Sequence, residues 1–295
     1  MALDLETTIN VKDLLLDEPA KEDSAFFVAE RDITPQDWQG MLSELKSTGV
    51  DPHNLDERFK SATGLAESMV LLFPSRKEEL EVDYLEDLLA LKVQLSAKNR
   101  PGGLHDLILF ASRLKVLAPE QFRKFDPFQN RWDSLFHDLM EELGNRTNRQ
   151  GGYGFAFLEV DHVARSKMVL PDEFNDGDPQ LDFYSKLIWV SLNLPQNIDK
   201  SLIAMANMRI IWPEKFDRFG FTSEVQAMYR KEFESQIQKA RVGSLNWNEV
   251  AYTARCMQIL SAEEILIDRK EVKIILPHSA QSMIQEESIP ETRRF

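Results

Sequence analysis

Two stretches decide how this chain reads: ASRLKVLAPEQFRKF at residues 111–125 and ANMRIIWPEKFDRF at residues 206–219. In each, an alanine is followed by cationic and aliphatic residues, then proline, an acid and a phenylalanine. Proline cannot continue a helix and disfavours helical geometry in the residue before it, so a helix stops there. Proline also opens a new helical turn well, and an acid beside it suits that turn's positive end. "Pro-Glu-x-Phe" therefore reads as helix stop, tight corner, and a short turn that pins an aromatic under the junction. The alanine seven or eight residues upstream lies on a helix face where a second helix can approach closely.

The same order recurs in AESMVLLFPSRKEEL (66–80), ARSKMVLPDEF (164–174) and ARCMQILSAEEILI (254–267), where serine replaces proline. The marks fall at Pro74, Pro119, Pro171, Pro213 and Ser261, spaced by 45, 52, 42 and 48 residues, the period of a two-helix unit. An upstream helix accompanies each mark. Trp38, Met41, Leu42 and Leu45 form one apolar helical stripe, and Trp132, Leu135, Phe136 and Leu139 repeat it. Leu85, Leu88, Leu89 and Lys92, then Tyr184, Leu187, Ile188 and Ser191, keep it more loosely, and Val225, Met228, Tyr229 and Phe233 fit an adjacent register. Thr34-Pro35 and Ser223-Glu224 carry helix-start signals.

These patterns predict an all-α chain of helix pairs at about 35–73, 83–118, 130–170, 180–212 and 223–260, with a degenerate sixth piece at 268–277. Stacked in order they would form a short α-solenoid; an irregular all-α bundle is the alternative. In unit length and helix pairing, residues 35–277 resemble the HEAT and armadillo class of α-solenoids, and also uncharacterised bacterial helical-repeat proteins. The consensus of neither class nor the tetratricopeptide pattern is reproduced. The expected division is an acidic arm or cap over 1–30, a repeat domain over 31–277 and a flexible tail over 278–295.

Composition narrows the function classes. With 43% hydrophobic and 28% charged residues in 295, the chain has a globular average, and 12 glycines and 13 prolines are few for collagen-like or turn-dense architectures. A formal net charge of −14 disfavours nucleic acid and anionic membranes as partners, because the long-range field repels phosphate. Eight acids against Lys12 and Lys21 place −6 of that charge in residues 1–30. Cys256 is the only cysteine, so neither an internal disulfide nor a cysteine zinc site is expected. The N-terminal residues lack a signal-peptide pattern, and no stretch of about 18 apolar residues occurs. The expectation is a cytoplasmic chain; the Asn145-Arg146-Thr147 glycosylation match is then chance.

Three constellations are candidates for function. Counted back from each mark, the sixth position holds Arg113, Arg165, Asn207 and Arg255, and the fourth holds Lys115, Lys167 and Arg209. A row of cations on one face of a stacked array suggests a groove for another protein or an acidic peptide segment. The competing reading is that cations near helix C-termini answer the helix dipole. The second candidate is the only glycine cluster, Asn148 to Gly154, a long loop presenting Arg146, Arg149 and Tyr153 as contact residues. It lacks the preceding strand and the spacing of a phosphate-binding loop.

The third candidate is the pair of dipeptides His105-Asp106 and His137-Asp138. They resemble the HD-type phosphohydrolases, all-α enzymes that activate water on a divalent metal. That resemblance implies His105 as first ligand, His137 and Asp138 as the pair, and Asp161 or Asp199 as the last. His137, however, lies off the Trp132–Leu139 stripe, on the solvated flank, and GxSxG, HExxH and CxxC are absent. The sequence therefore favours a non-enzymatic protein-binding scaffold without cofactor or metal. An HD-like phosphohydrolase and a nucleic-acid-binding repeat protein are the alternatives; oligomeric state is left open.

Overall fold

A computed structural model describes residues 26–48, 57–98, 104–124, 153–171, 197–213, 216 and 220–277. The described helices are α1 (Ala29–Asp32), α2 (Pro35–Ser47), α3 (Glu57–Leu72), a 3-10 helix (Pro74–Leu80), α4 (Asp83–Lys98), α5 (Leu104–Leu117) and α6 (Pro119–Lys124). They continue with α7 (Tyr153–Val169), α8 (Ile198–Ile211), α9 (Ser223–Arg241) and α10 (Trp247–Ser261). The described residues are thus mainly helical, and among them no helix is long and apolar enough to cross a membrane.

Helix ends follow the local chemistry that the sequence announces. Thr34 caps α2 in a capping box: its hydroxyl accepts from Asp37 N at 3.2 Å while the Asp37 carboxylate accepts from Thr34 N at 3.0 Å. Pro74 and Pro119 stop α3 and α5 and each opens a short turn, 3-10 in the first case and α6 in the second. The alanines of the recurring segment, Ala66, Ala111, Ala164, Ala206 and Ala254, are all buried. The stripe Trp38, Met41, Leu42 and Leu45 is buried as well. In α4 the expected Leu85 and Leu89 are buried and Leu88 packs partly against the core, while Val93 rather than Lys92 extends the buried face and Leu91 is exposed.

The five helices that end at the marks contact one another in a cycle. Helix α3 packs on α5, α5 on α7, α7 on α8, α8 on α10, and α10 returns to α3. An open solenoid would keep its ends apart, whereas here the first and last of these helices meet. The outer layer closes at the same seam. Asp37 accepts two 2.8 Å hydrogen bonds from Arg241 Nε and Nη2 at the end of α9, and Arg230 pairs with Asp32 at 2.6 Å. Phe27, completely buried, meets Phe233 edge to face at 5.2 Å, and its amide donates to Ser261 Oγ. The packed body therefore reaches at least to Phe26–Glu30, inside the segment read as an acidic arm; the residues before it, and the tail 278–295, lie outside the described residues.

One expectation is corrected outright. The piece at 268–277 is not a degenerate helix pair: Glu264–Ile267 (β1) and Val272–Ile275 (β2) form an antiparallel hairpin. Alternating β-branched residues suit a half-buried strand, and the Asp268 carboxylate accepts from Lys270 N and Glu271 N to make the turn. Ile265 pairs with Ile274 and Ile267 with Val272, and these four face a cavity also lined by Leu71, Met168, Ile210 and Ile259 from the last turns of α3, α7, α8 and α10. The hairpin therefore covers the C-terminal end of the helix cycle.

Candidate functional site

The centre of the cycle is ionic. Glu67 of α3 has a completely buried side chain, and three guanidiniums from three other helices converge on it. Arg165 Nη1 donates to Oε1 at 3.0 Å, Arg255 Nη1 donates to Oε2 at 2.8 Å, and Arg113 Nε lies 3.7 Å from Oε2. Arg165 is further held by Asp161 at 2.8 Å and by Ser112 Oγ at 3.0 Å. Arg113 Nη1 donates to Lys60 O and to Thr63 Oγ1, both at 2.7 Å. Gly64 explains how it fits: a Cβ there would stand 2.9 Å from Arg113 Nη2. A mid-helix glycine is unfavourable by about 1 kcal/mol against alanine, and here it makes room for a guanidinium.

Arg113, Arg165 and Arg255 are thus buried, at 9%, 4% and 6% exposure, and they share an acid. The expected exposed groove does not exist on that row. Equivalent positions did land on one face, but it is the inward face, where an unpaired cation could not stay. Burial opposes ionisation of Glu67, yet Arg165, Arg255 and Arg113 outweigh it and hold the carboxyl below its ordinary 4.5. Burial and then the charge of Arg165 push Arg113 down to about 10. Tyr252 OH donates to Asp161 Oδ1 at 3.4 Å, and the Arg255 guanidinium lies 4.4 Å over the Tyr252 ring. Cys256, beside it, is buried and its thiol is pushed up to about 11, chiefly by burial, as suits an inert core cysteine.

The fourth-position cations do something else. Lys115 donates to Met168 O at 2.7 Å and also to Asp268 O in the hairpin turn, Lys167 donates to Ile211 O at 2.8 Å, and Arg209 donates to Ala262 O. Lys77, from the turn after Pro74, donates to Leu117 O. Each cation reaches the last carbonyls of the next helix in the cycle, so the helix C-termini lie side by side. The phenylalanine of the recurring segment supports the same cation: Lys115 lies 5.7 Å over Phe122 and Arg209 lies 4.9 Å over Phe216. These cations answer the C-terminus of the neighbouring helix, where the expectation was an answer to the dipole of their own.

The phosphohydrolase pattern divides. The His105 ring lies 4.2 Å from that of His162, the sequence neighbour of Asp161, while Asp106 forms a 2.8 Å ion pair with Lys60. Asp199 is exposed at the start of α8, and His137 and Asp138 lie outside the described residues. Among the described residues no three His, Cys, Asp or Glu side chains are grouped as a metal would require. Arg146 and Arg149 also lie outside the described residues, and Tyr153 is the first residue of α7.

One open groove adjoins the seam. It has a volume of about 540 Å³ and is lined by Gly40, Ser43, Glu44 and Ser47 of α2 with Ser61, Asn246 and Trp247. Glu44 fixes its floor by accepting from the Trp247 and Asn248 amides at 2.6 and 3.1 Å, which caps the positive end of α10. Gly40 lets the Trp247 indole lie against α2, since a Cβ there would be 2.4 Å from the ring.

Neither Glu67 nor this groove is among the sequence candidates. Glu67 was legible in principle as the single acid inside the apolar run 64–73, GLAESMVLLF. The groove was not, because its walls come from residues about 200 positions apart. No family model, curated protein or solved structure matches the chain.

Proposed function

We propose that the chain is a non-enzymatic scaffold of five helix-pair repeats that binds another protein in the groove at its seam. The groove carries this reading. It sets a half-buried tryptophan, a residue type enriched where proteins are recognised, among serine hydroxyls and an asparagine. The floor is rigid, because Glu44 ties α2 to the first turn of α10. The partner segment is a hydrophilic one carrying hydrogen-bond donors, since the lining offers hydroxyl and carboxylate oxygens and no cation. An acidic segment loses its basis, because the arginines that suggested it are buried. The repeat reading is supported by the recurrence of one contact, the cation that caps the next helix, at four junctions.

Ser43 and Ser47 are exposed, so replacing both by arginine fills the groove without touching the core. Proteins captured from lysate by the wild-type chain should be lost with the S43R/S47R variant, while its melting temperature stays within a degree or two of wild type. Capture of the same proteins by both forms would remove the groove from the account.

A further inference from the structure

The interior of the helix cycle holds a second site, independent of the groove. Among the described residues three guanidiniums (Arg113, Arg165, Arg255) face two carboxylates (Glu67, Asp161), an excess of one buried positive charge in a chain whose net charge is −14. Between this cluster and the hairpin lies a cavity of about 20 Å³. Its polar lining is Asp161, Arg165, Asn207 and Arg255. Two donors in that lining, Asn207 Nδ2 and Arg255 Nε, are buried and hydrogen-bond to no protein atom, on side chains more than nine-tenths buried. Buried donors in folded proteins almost always have an acceptor, so these two mark a missing one.

We propose that the cavity binds one monatomic monovalent anion of chloride size, held by Asn207 Nδ2 and Arg255 Nε. Size selects the class. A water needs about 10–15 Å³ of such space, and a halide needs little more, whereas a phosphate or an organic acid exceeds it. Charge selects the sign: an anion offsets the excess positive charge of the cluster, of which Arg165 and Arg255 line the cavity, and a neutral water would not. The Asp161 carboxylate does not oppose this strongly, because Arg165 Nε at 2.8 Å and Tyr252 OH at 3.4 Å already engage it. The apolar hairpin residues Ile265, Ile267, Val272 and Ile274 close the other side, and exclusion of water strengthens each charge–dipole contact. The anion would join α8, which supplies Asn207 and no charge, to the ionic centre made by its neighbours.

The test uses the full chain. Thermal unfolding is compared in sodium chloride, sodium bromide and sodium gluconate at equal ionic strength, gluconate being too large to enter. The melting temperature should rise saturably with chloride and bromide and not with gluconate, as linkage to a native-state site requires. Bromide-soaked crystals should show one anomalous peak between Asn207 and Arg255. Asn207→Leu, which keeps the volume and removes the donor, should weaken the apparent halide affinity by about tenfold or more. Arg255→Lys, which keeps the charge and loses Nε, should do the same if Asn207→Leu folds poorly. Equal melting in all three salts, no bromide peak, or halide dependence unchanged in the variants would each overturn the site and leave an ordered water as the acceptor.

Discussion

Glu67 is the residue on which the interior depends, because one carboxylate faces three guanidiniums that have left water. Its replacement by glutamine keeps the shape and strands those charges. Removing one partner of a buried ion pair typically destabilises by about 3–5 kcal/mol, and Glu67→Gln is expected in that range by urea unfolding at pH 7. The same residue sets an acid limit. Its folded-state pKa lies below 4.5, so between that value and the unfolded one the native chain binds fewer protons than the unfolded chain. The stabilisation is therefore complete above about pH 5 and falls away as pH drops through the folded pKa. Asp161, Asp32 and Asp37 are shifted the same way, so the difference in acid slope between wild type and Glu67→Gln isolates the Glu67 share. Equal slopes from pH 6 to pH 3 would count against the assignment.

At the level of elements, the recurring segment works as a joint between helices. Alanine lets two helices close, proline ends one of them, and the cation four residues before the mark satisfies carbonyls at the end of the next. A buried carbonyl left without a donor is unfavourable by about 1–3 kcal/mol. Lys115→Met and Lys167→Met, which retain the aliphatic stem, should each lose that much in chemical denaturation. Lys239→Met, on the exposed face of α9, should change stability by less than about 0.5 kcal/mol. Losses as small at Lys115 and Lys167 as at Lys239 would reduce these contacts to ornaments of the helix ends.

For the whole molecule, closure is the property that matters. Open repeat arrays fray from their ends because each unit touches only its neighbours. Here the N-terminal and C-terminal helices of the described residues are joined by α3 on α10, by Phe27 against Phe233, and by Asp37 with Arg241. Wild-type unfolding should therefore be one transition, coincident by far-ultraviolet circular dichroism and tryptophan fluorescence. Asp37→Ala removes the carboxylate half of the α2 capping box and the Arg241 pair. Since Arg241 is about a third exposed, the loss is expected near about 2 kcal/mol rather than the full buried-pair value. Hydrogen exchange should then rise first in α2 and α9. Uniform acceleration across α4, α5, α2 and α9 alike would show that the seam does not set the order of opening.

The sequence by itself determined the helical class and several helix ends, because proline, capping residues and apolar spacing act within one or two turns. Thr34, Pro74, Pro119 and the stripe from Trp38 to Leu45 could be read directly. It also marked Arg113, Arg165 and Arg255 as equivalent positions, since equal spacing from a helix stop fixes an equal place on the helix. Whether that place faced solvent or centre was decided by tertiary structure alone: the helices that end at the marks pack in a cycle, the shared face becomes the inside, and Glu67 supplies the counter-charge. The hairpin at 264–275 was hidden for a related reason, because a short apolar run takes helix or strand form according to what it packs on, and here it packs on the ends of four helices. The groove and the anion site are likewise tertiary, each assembled from side chains whose proximity no local rule encodes.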